Sequence, residues 1–117
     1  MVFTFKCKIM KFVTLFQLGL EYENFEFHVE PVTDRILGYD SYKYINEYKI
    51  LGIDVKRVEL VFNLDILVAT ILEFEKSKLS LEICKHLTDF RKVDNYLYLA
   101  DSNIDLILKN TLLLEDI

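Results

Sequence analysis

The stretch that decides the fold is DVKRVELVFNLDILVATILEFEKS, residues 54–77. Taken as a helix, it carries one polar stripe, broken only by Ile66, that consists of Lys56, Glu59, Asn63, Thr70, Glu73 and Ser77. Taken as strands, it shows an apolar alternation that is almost as regular, through Val58, Leu60, Phe62, Leu64, Ile66, Val68 and Leu72. The length without Gly or Pro favours the helix, whereas the β-branched content favours strands. We predict a helix and keep the strands as the open alternative.

Upstream of this stretch, the sequence predicts an antiparallel meander. VFTFKCKI, residues 2–9, alternates apolar and polar residues as a half-buried strand does, and residues 12–20 are apolar on both faces, as in a central strand. EYEN at 21–24 has turn chemistry before a third strand, FEFHV at 25–29. Because proline cannot donate to a ladder, the third strand ends at Pro31, and residues 31–40 are predicted to form a loop.

Two further helices and a C-terminal hairpin complete the prediction. SYKYINEYKIL, residues 41–51, has apolar residues on one helical face, with Gly52 placed as its terminator, and residues 80–92 form a second helix with a serine cap. Residues 95–110 predict two short strands, with a helix capped at Ser102 as the alternative. At 117 residues the chain is predicted to be one α+β domain, 1–117, with an N-terminal antiparallel β-meander, central helices and a C-terminal β-hairpin.

Charge is distributed unevenly over a chain whose net charge is −5. Residues 1–20 hold three lysines and no acid, residues 21–30 hold four glutamates, and residues 94–117 hold five acids and one lysine. A basic stripe, which supplies most of the affinity for nucleic acid, is absent, so we expect no direct nucleic-acid binding. Outside the N-terminal segment, the longest charge-free apolar run, residues 66–72, is too short to span a bilayer. We therefore expect a cytoplasmic protein with reduced cysteines.

The candidate catalytic residues are few. Cys84 and His86 stand two positions apart, which on a helix separates them by about 200°, so they cannot face each other as a nucleophile and its base. His28 lies between Glu26 and Glu30, on the outer face of the predicted third strand. Neighbours on that face can share a metal, but the two glutamates are too far apart to complete a site. We predict no cofactor and no metal.

Tyrosines and acids concentrate in the loop 31–40 and in the predicted helix that follows it. We expect Tyr42 and Glu47 to lie outside the core-facing stripe of that helix, and exposed tyrosine beside carboxylates is typical of a surface that binds a basic protein. A second acidic group lies on the predicted C-terminal hairpin. The predicted partner-binding residues are Asp34, Tyr39, Asp40, Tyr42, Glu47, Asp94, Asp101 and Asp105.

These features favour a small non-enzymatic protein that neutralises a basic protein, either a toxin or a nucleic-acid-binding enzyme. Immunity proteins, antitoxins and phage-type inhibitors act in this way, and the bias toward residues with AT-rich codons suits such an origin. One alternative is a subunit of a homo-oligomer, a homodimer included, or of a viral assembly, with the apolar segment 58–74 partly in the interface. The other is a small metal-dependent or hydrolytic enzyme that uses His28 or His86.

Overall fold

The computed structural model of the protein describes residues 15–79, 84–85, 87 and 89–114, and all of its paired strands run antiparallel. The strands are β1 Val29–Pro31, β2 Asp40–Tyr44, β3 Tyr48–Ile50, β4 Ile53–Val55, β5 Arg57–Asn63, β6 Ile66–Glu73, β7 Arg91–Val93 and β8 Tyr96–Ala100. A 3₁₀ turn spans Tyr22–Asn24, and one helix, α1, spans Asp105–Leu114. Six strands form one sheet in the order β1-β2-β5-β6-β8-β7, and β3 and β4 form a separate hairpin.

The predicted helix over residues 54–77 is wrong, and the strand alternative is confirmed. This stretch forms the end of β4, then β5 and β6, which pair at the centre of the sheet with one register shift between Val61 and Phe62. Residues 58–62 are buried without interruption, because side chains from both faces of β5 enter a core. A strand that is buried on both faces has a nearly continuous apolar sequence, and periodicity cannot separate such a sequence from a buried helix.

The sheet separates two apolar clusters, one on each face. The first contains Val58, Leu60 and Leu72, and it is covered by the segment 15–28, by the β3–β4 hairpin and by Leu87. The second cluster contains Val61, Ala69, Ile71, Tyr96 and Tyr98 from the strands. It also contains Ile104, just before α1, and Leu108 and Leu112 within α1. The sheet is therefore a central layer that is covered on both sides.

The predicted helix 41–51 is also wrong. Its residues form β2 and β3, and Leu51 and Gly52 form the turn to β4 with φ angles of 52° and 79°. Most of the apolar residues whose spacing indicated a helix do pack on the first cluster. They reach it from the two ends of residues 41–51, which belong to different strands. Ile45, one of the apolar residues on the face of the predicted helix, is 52% exposed.

The predicted N-terminal meander is not found in the part of it that the structure describes. Residues 1–14, which include the first predicted strand, lie outside the described residues, and residues 15–28 form turns and the 3₁₀ helix. Phe27, which alternation places on the inner face of the predicted third strand, opposite the face with His28, is 81% exposed. The strand end at Pro31 and the loop that follows it are confirmed.

At the C-terminal end, the prediction is half confirmed. The predicted helix 80–92 falls partly on residues outside the described ranges; Cys84 and Lys85 have helical backbone geometry, whereas Arg91 already begins β7. β8 is the first predicted hairpin strand, but a helix, α1, replaces the second, as in the alternative prediction, although α1 begins at Asp105. The turn between them is set by Asp101, whose carboxylate accepts the Asn103 N–H at 3.1 Å. No helix in the described ranges is long and apolar enough to cross a membrane.

Candidate functional site

Four turns and loops meet at one end of the six-stranded sheet. Asp40, the first residue of β2, lies opposite Phe62, so the loop before β2 lies beside the β5–β6 turn. The Asp101 N–H donates to the Val68 carbonyl at 2.8 Å, which brings the end of β8 to the same place. The backbone of residues 19–22 hydrogen-bonds to residues 65–67 at the start of β6. We call residues 18–24, 36–40, 63–66 and 101–103 together the acidic end.

The acidic end is uniformly negative. Its sequence contains no lysine or arginine and five carboxylates, which belong to Glu21, Glu23, Asp40, Asp65 and Asp101. None of these five carboxylates takes part in an ion pair that the structure describes. Clustered charges of one sign raise the local concentration of oppositely charged partners. This end of the molecule therefore has an electrostatic preference for basic groups.

A strained leucine projects from the acidic end. Leu64 and Asp65 are the two central residues of the β5–β6 turn, and both have positive φ, 50° and 66°. Hairpin turns of this kind favour Asn and Gly, because leucine in the left-handed region meets steric hindrance. Leu51 adopts the same conformation, but it packs against the first cluster, whereas Leu64 is 88% exposed. Core packing thus accounts for Leu51 and does not account for Leu64.

A second exposed leucine lies on the loop before β2. The Tyr39 N–H donates to the Ile36 carbonyl at 3.0 Å and closes a tight turn, in which Gly38 supplies the positive φ of 88°. Ile36 is buried in the second cluster and holds the turn to the body of the protein. Leu37, at the tip, is 98% exposed. The turn is anchored on one side and presents an apolar side chain on the other.

Two tyrosines border the acidic end on the first-cluster face. The rings of Tyr22 and Tyr42 lie 5.0 Å apart, and each lies 5.5 Å from the buried Phe62. Burial raises the pKa of Tyr42 above its ordinary value, and Tyr22 and the carboxylates of Asp40 and Asp65 raise it further. The Tyr42 hydroxyl therefore keeps its proton to a higher pH than an ordinary tyrosine does.

The structure brings some of the predicted partner-binding residues together and separates others. Asp40 and Asp101 belong to the acidic end, Tyr39 closes one of its turns, and Tyr42 borders it. The prediction missed Leu37 and Leu64, which also belong to the acidic end. Gly38 is a sequence signal for the turn that contains Leu37, but the sequence has no such signal for the β5–β6 turn that contains Leu64.

The other four predicted residues lie elsewhere. The Asp34 carboxylate accepts the Ser41 N–H at 3.1 Å, and Glu47 is exposed in the connection between β2 and β3. Asp94, in the β7–β8 turn, pairs with Lys76 at 3.4 Å, and Asp105, in the first turn of α1, pairs with Arg91 at 3.4 Å. The eight residues do not form one continuous surface.

A polar cleft of about 640 Å³ lies on the α1 side of the sheet, between the loop after β1 and the strands β5 and β6. Arg35 binds Glu59 with two hydrogen bonds of 2.8 Å, and both side chains are nearly buried. The Nε of Arg57 is buried beside this pair without a hydrogen-bond partner among the described residues. Because Glu59 already satisfies Arg35, the pair attaches the loop to the sheet and leaves no unpaired charge in Arg35 for a ligand.

The candidate catalytic residues do not assemble into a catalytic group in the described part of the chain. His28 is exposed, with its Nδ1 3.2 Å from the Asn46 amide nitrogen, and His86 lies outside the described residues. Cys84 is a half-buried free thiol. The described ranges contain no group of three or more His, Cys, Asp and Glu side chains that could hold a metal.

Comparison of the chain with models of known protein families, with curated proteins and with solved structures finds no match. We therefore infer the function of the protein from its own geometry and charge.

Proposed function

We propose that the protein is a non-enzymatic, cytoplasmic binder of a basic protein, and that the acidic end is its contact surface. The observation that carries the proposal is the placement of two almost fully exposed leucines, Leu37 and Leu64, among five carboxylates with no neighbouring lysine or arginine in the same segments. An apolar centre with a polar rim is the usual composition of a specific protein interface, and at the acidic end the polar groups around the leucines are negative.

The backbone strain at Leu64 supports the same proposal. A residue in a sparsely populated backbone conformation, at an exposed position without packing, has a conformational cost that the fold itself does not offset. Contact of Leu64 with an apolar pocket on a partner would supply a reason for leucine at this position. The carboxylates would then steer a basic partner toward the tip and raise the rate of association.

The partner class follows from the charge. A basic protein, such as a toxin or a nucleic-acid-binding enzyme, has a positively charged surface that would be attracted to this array of carboxylates. Blocking that surface would neutralise such a partner without any chemistry by this chain. This is the mode of action of immunity proteins, antitoxins and phage-type inhibitors.

Affinity capture with matched variants tests the proposal. Tagged wild-type protein is used to capture proteins from a lysate of its own source at low and at high salt, and the bound proteins are identified by mass spectrometry. We expect a basic protein that is retained by wild type and by Phe27→Ser, and lost from the double variant Leu37→Ser with Leu64→Ser. Phe27 is a suitable control because it is also exposed but lies at the opposite end of the sheet. Equal capture by all three proteins would contradict the proposal.

Association kinetics with the captured protein test the electrostatic part. Asp40→Asn combined with Asp65→Asn should lower the association rate constant about tenfold at low salt and have little effect at high salt. Glu75→Gln, which removes an exposed charge at the opposite end, should leave the rate within about twofold. A change confined to the dissociation rate would contradict steering by the acidic end.

A further inference from the structure

The outer face of α1 is apolar although α1 already buries its inner face. Leu108 and Leu112 are fully buried in the second cluster. On the other side, four large apolar side chains are exposed by about half or more: Leu106 by 68%, Ile107 by 50%, Leu113 by 49% and Leu114 by 66%. A surface helix that packs on one side normally presents polar residues to water, so this second apolar face requires an explanation.

The exposed residues form one stripe. At 100° per residue, Leu106, Ile107, Leu113 and Leu114 fall within a sector of about 120°, and Asn110 lies near the centre of that sector. This sector is opposite the buried pair. Ile107, Asn110 and Leu114 have the three- and four-residue spacing of a helix that packs against another helix.

The stripe is complementary to itself. If two copies of α1 lie antiparallel about a two-fold axis at Asn110, Leu106 of one copy faces Leu114 of the other, and Ile107 faces Leu113. The two Asn110 amides then meet at the axis, where each can donate to and accept from the other. An isologous contact of this kind requires the same patch on both partners, and the stripe satisfies that requirement.

The charge of the molecule restricts contact between two copies to neutral regions such as this helix. Each chain has a net charge of −5, so two copies repel each other over most of their surface. The described length of α1 carries one acid and one base, Asp105 and Lys109, and neither lies within the stripe. The stripe is thus a neutral region through which two acidic molecules can approach.

We propose that α1 forms the interface of a weak, two-fold symmetric homodimer of this chain. A helix of ten residues is about 15 Å long, which places the contact at the small end of specific interfaces. We therefore expect a dissociation constant on the order of 10–100 μM. The interface differs from the acidic end, so a dimer presents two acidic ends and the proposed function does not depend on dimerisation.

Sedimentation equilibrium over a wide concentration range tests the interface. Wild type should move from the mass of one chain toward the mass of two as its concentration rises through about 10–100 μM. Leu106→Glu combined with Leu113→Glu should weaken association more than tenfold, because it places four carboxylates in the contact. Phe27→Glu, at an exposed site outside the stripe, should behave like wild type. A monomer at every concentration, or a dimer that the double variant leaves intact, would overturn the proposal.

Cross-linking tests the register. Under mild oxidation, Asn110→Cys should give a disulfide-linked dimer, because the two copies of position 110 meet at the axis. Ser102→Cys, which is exposed but outside α1, should give far less. Asn110→Leu should tighten the dimer about tenfold by replacing a polar pair in an apolar contact. Equal cross-linking at both positions would overturn the antiparallel register.

Discussion

The conformation of the turn residues Leu64 and Asp65 is better explained by binding than by folding. The left-handed conformation costs Leu64 on the order of 1 kcal/mol relative to Asn or Gly, whereas aspartate tolerates it. Because Leu64 is exposed, the structure offers no packing that offsets this cost. Conformational strain at an exposed position points to a role outside the fold.

We predict that Leu64→Asn with Asp65→Gly stabilises the fold by about 1–2 kcal/mol, since Asn-Gly suits a two-residue hairpin turn. Urea unfolding monitored by circular dichroism measures the change. The matched control is Leu51→Asn, which is also in the left-handed region but removes a side chain from the first cluster, and it should destabilise the fold. A loss of stability in the turn variant would show that Leu64 has a structural role.

Tyr48 should make stability depend on alkaline pH. Burial raises its pKa from 10.0 to about 12, with a smaller contribution from Tyr44. Because the folded-state pKa is raised, the stabilisation is fully present below the unfolded pKa near 10 and is lost as the pH rises through about 12. Unfolding free energies should fall over this window, and should fall less in Tyr48→Phe, which keeps the ring contact with Phe16 at 4.9 Å. Identical pH profiles would contradict this assignment.

At the scale of elements, β6 organises the molecule. It pairs with β5 and β8, and the backbone of residues 19–22 joins its first residues. Within its buried face, the Thr70 hydroxyl donates to the Phe16 carbonyl at 3.0 Å, across 54 positions of sequence. This bond attaches the segment before the 3₁₀ helix to the sheet, and that segment covers the first cluster.

We expect Thr70→Val to cost about 1–2 kcal/mol, because a buried carbonyl loses its hydrogen bond. Thr111→Val is the control, since its hydroxyl donates to the Leu108 carbonyl within the same helix, and the loss should be about 0.5 kcal/mol or less. Chemical denaturation measures both variants. In addition, protease cleavage within residues 15–28 should be faster in Thr70→Val. Equal stability of the two variants would contradict the attachment.

At the scale of the whole molecule, the acidic end differs from the opposite end in having no basic residue to offset its carboxylates. At the opposite end, Lys49, Lys56 and Lys76 pair with Asp54, Glu73 and Asp94. The net charge nevertheless makes two copies repel each other. Added salt should therefore strengthen the proposed self-association and weaken the proposed binding of a basic partner.

We predict that self-association strengthens several-fold when ionic strength rises from about 0.01 M to about 0.15 M, because the Debye length falls from about 30 Å to about 8 Å. Capture of the basic partner should weaken over the same range. Sedimentation equilibrium follows the first change, and the kinetic measurement with the partner follows the second. Self-association that weakens with salt would indicate an interface held by ion pairs instead of by the apolar stripe of α1.

The sequence by itself determined the single domain, the loop after Pro31, strand β8 and the local excess of acidic residues, because these depend on composition, proline chemistry and short-range alternation. It could not decide between a helix and strands for residues 54–77, since a strand buried on both faces loses the alternation that identifies it. The acidic end depends on contacts between segments distant in sequence, such as Asp40 with Phe62 and Asp101 with Val68. Only the tertiary structure brings those segments together, because sheet pairing is a long-range interaction that local sequence patterns do not specify.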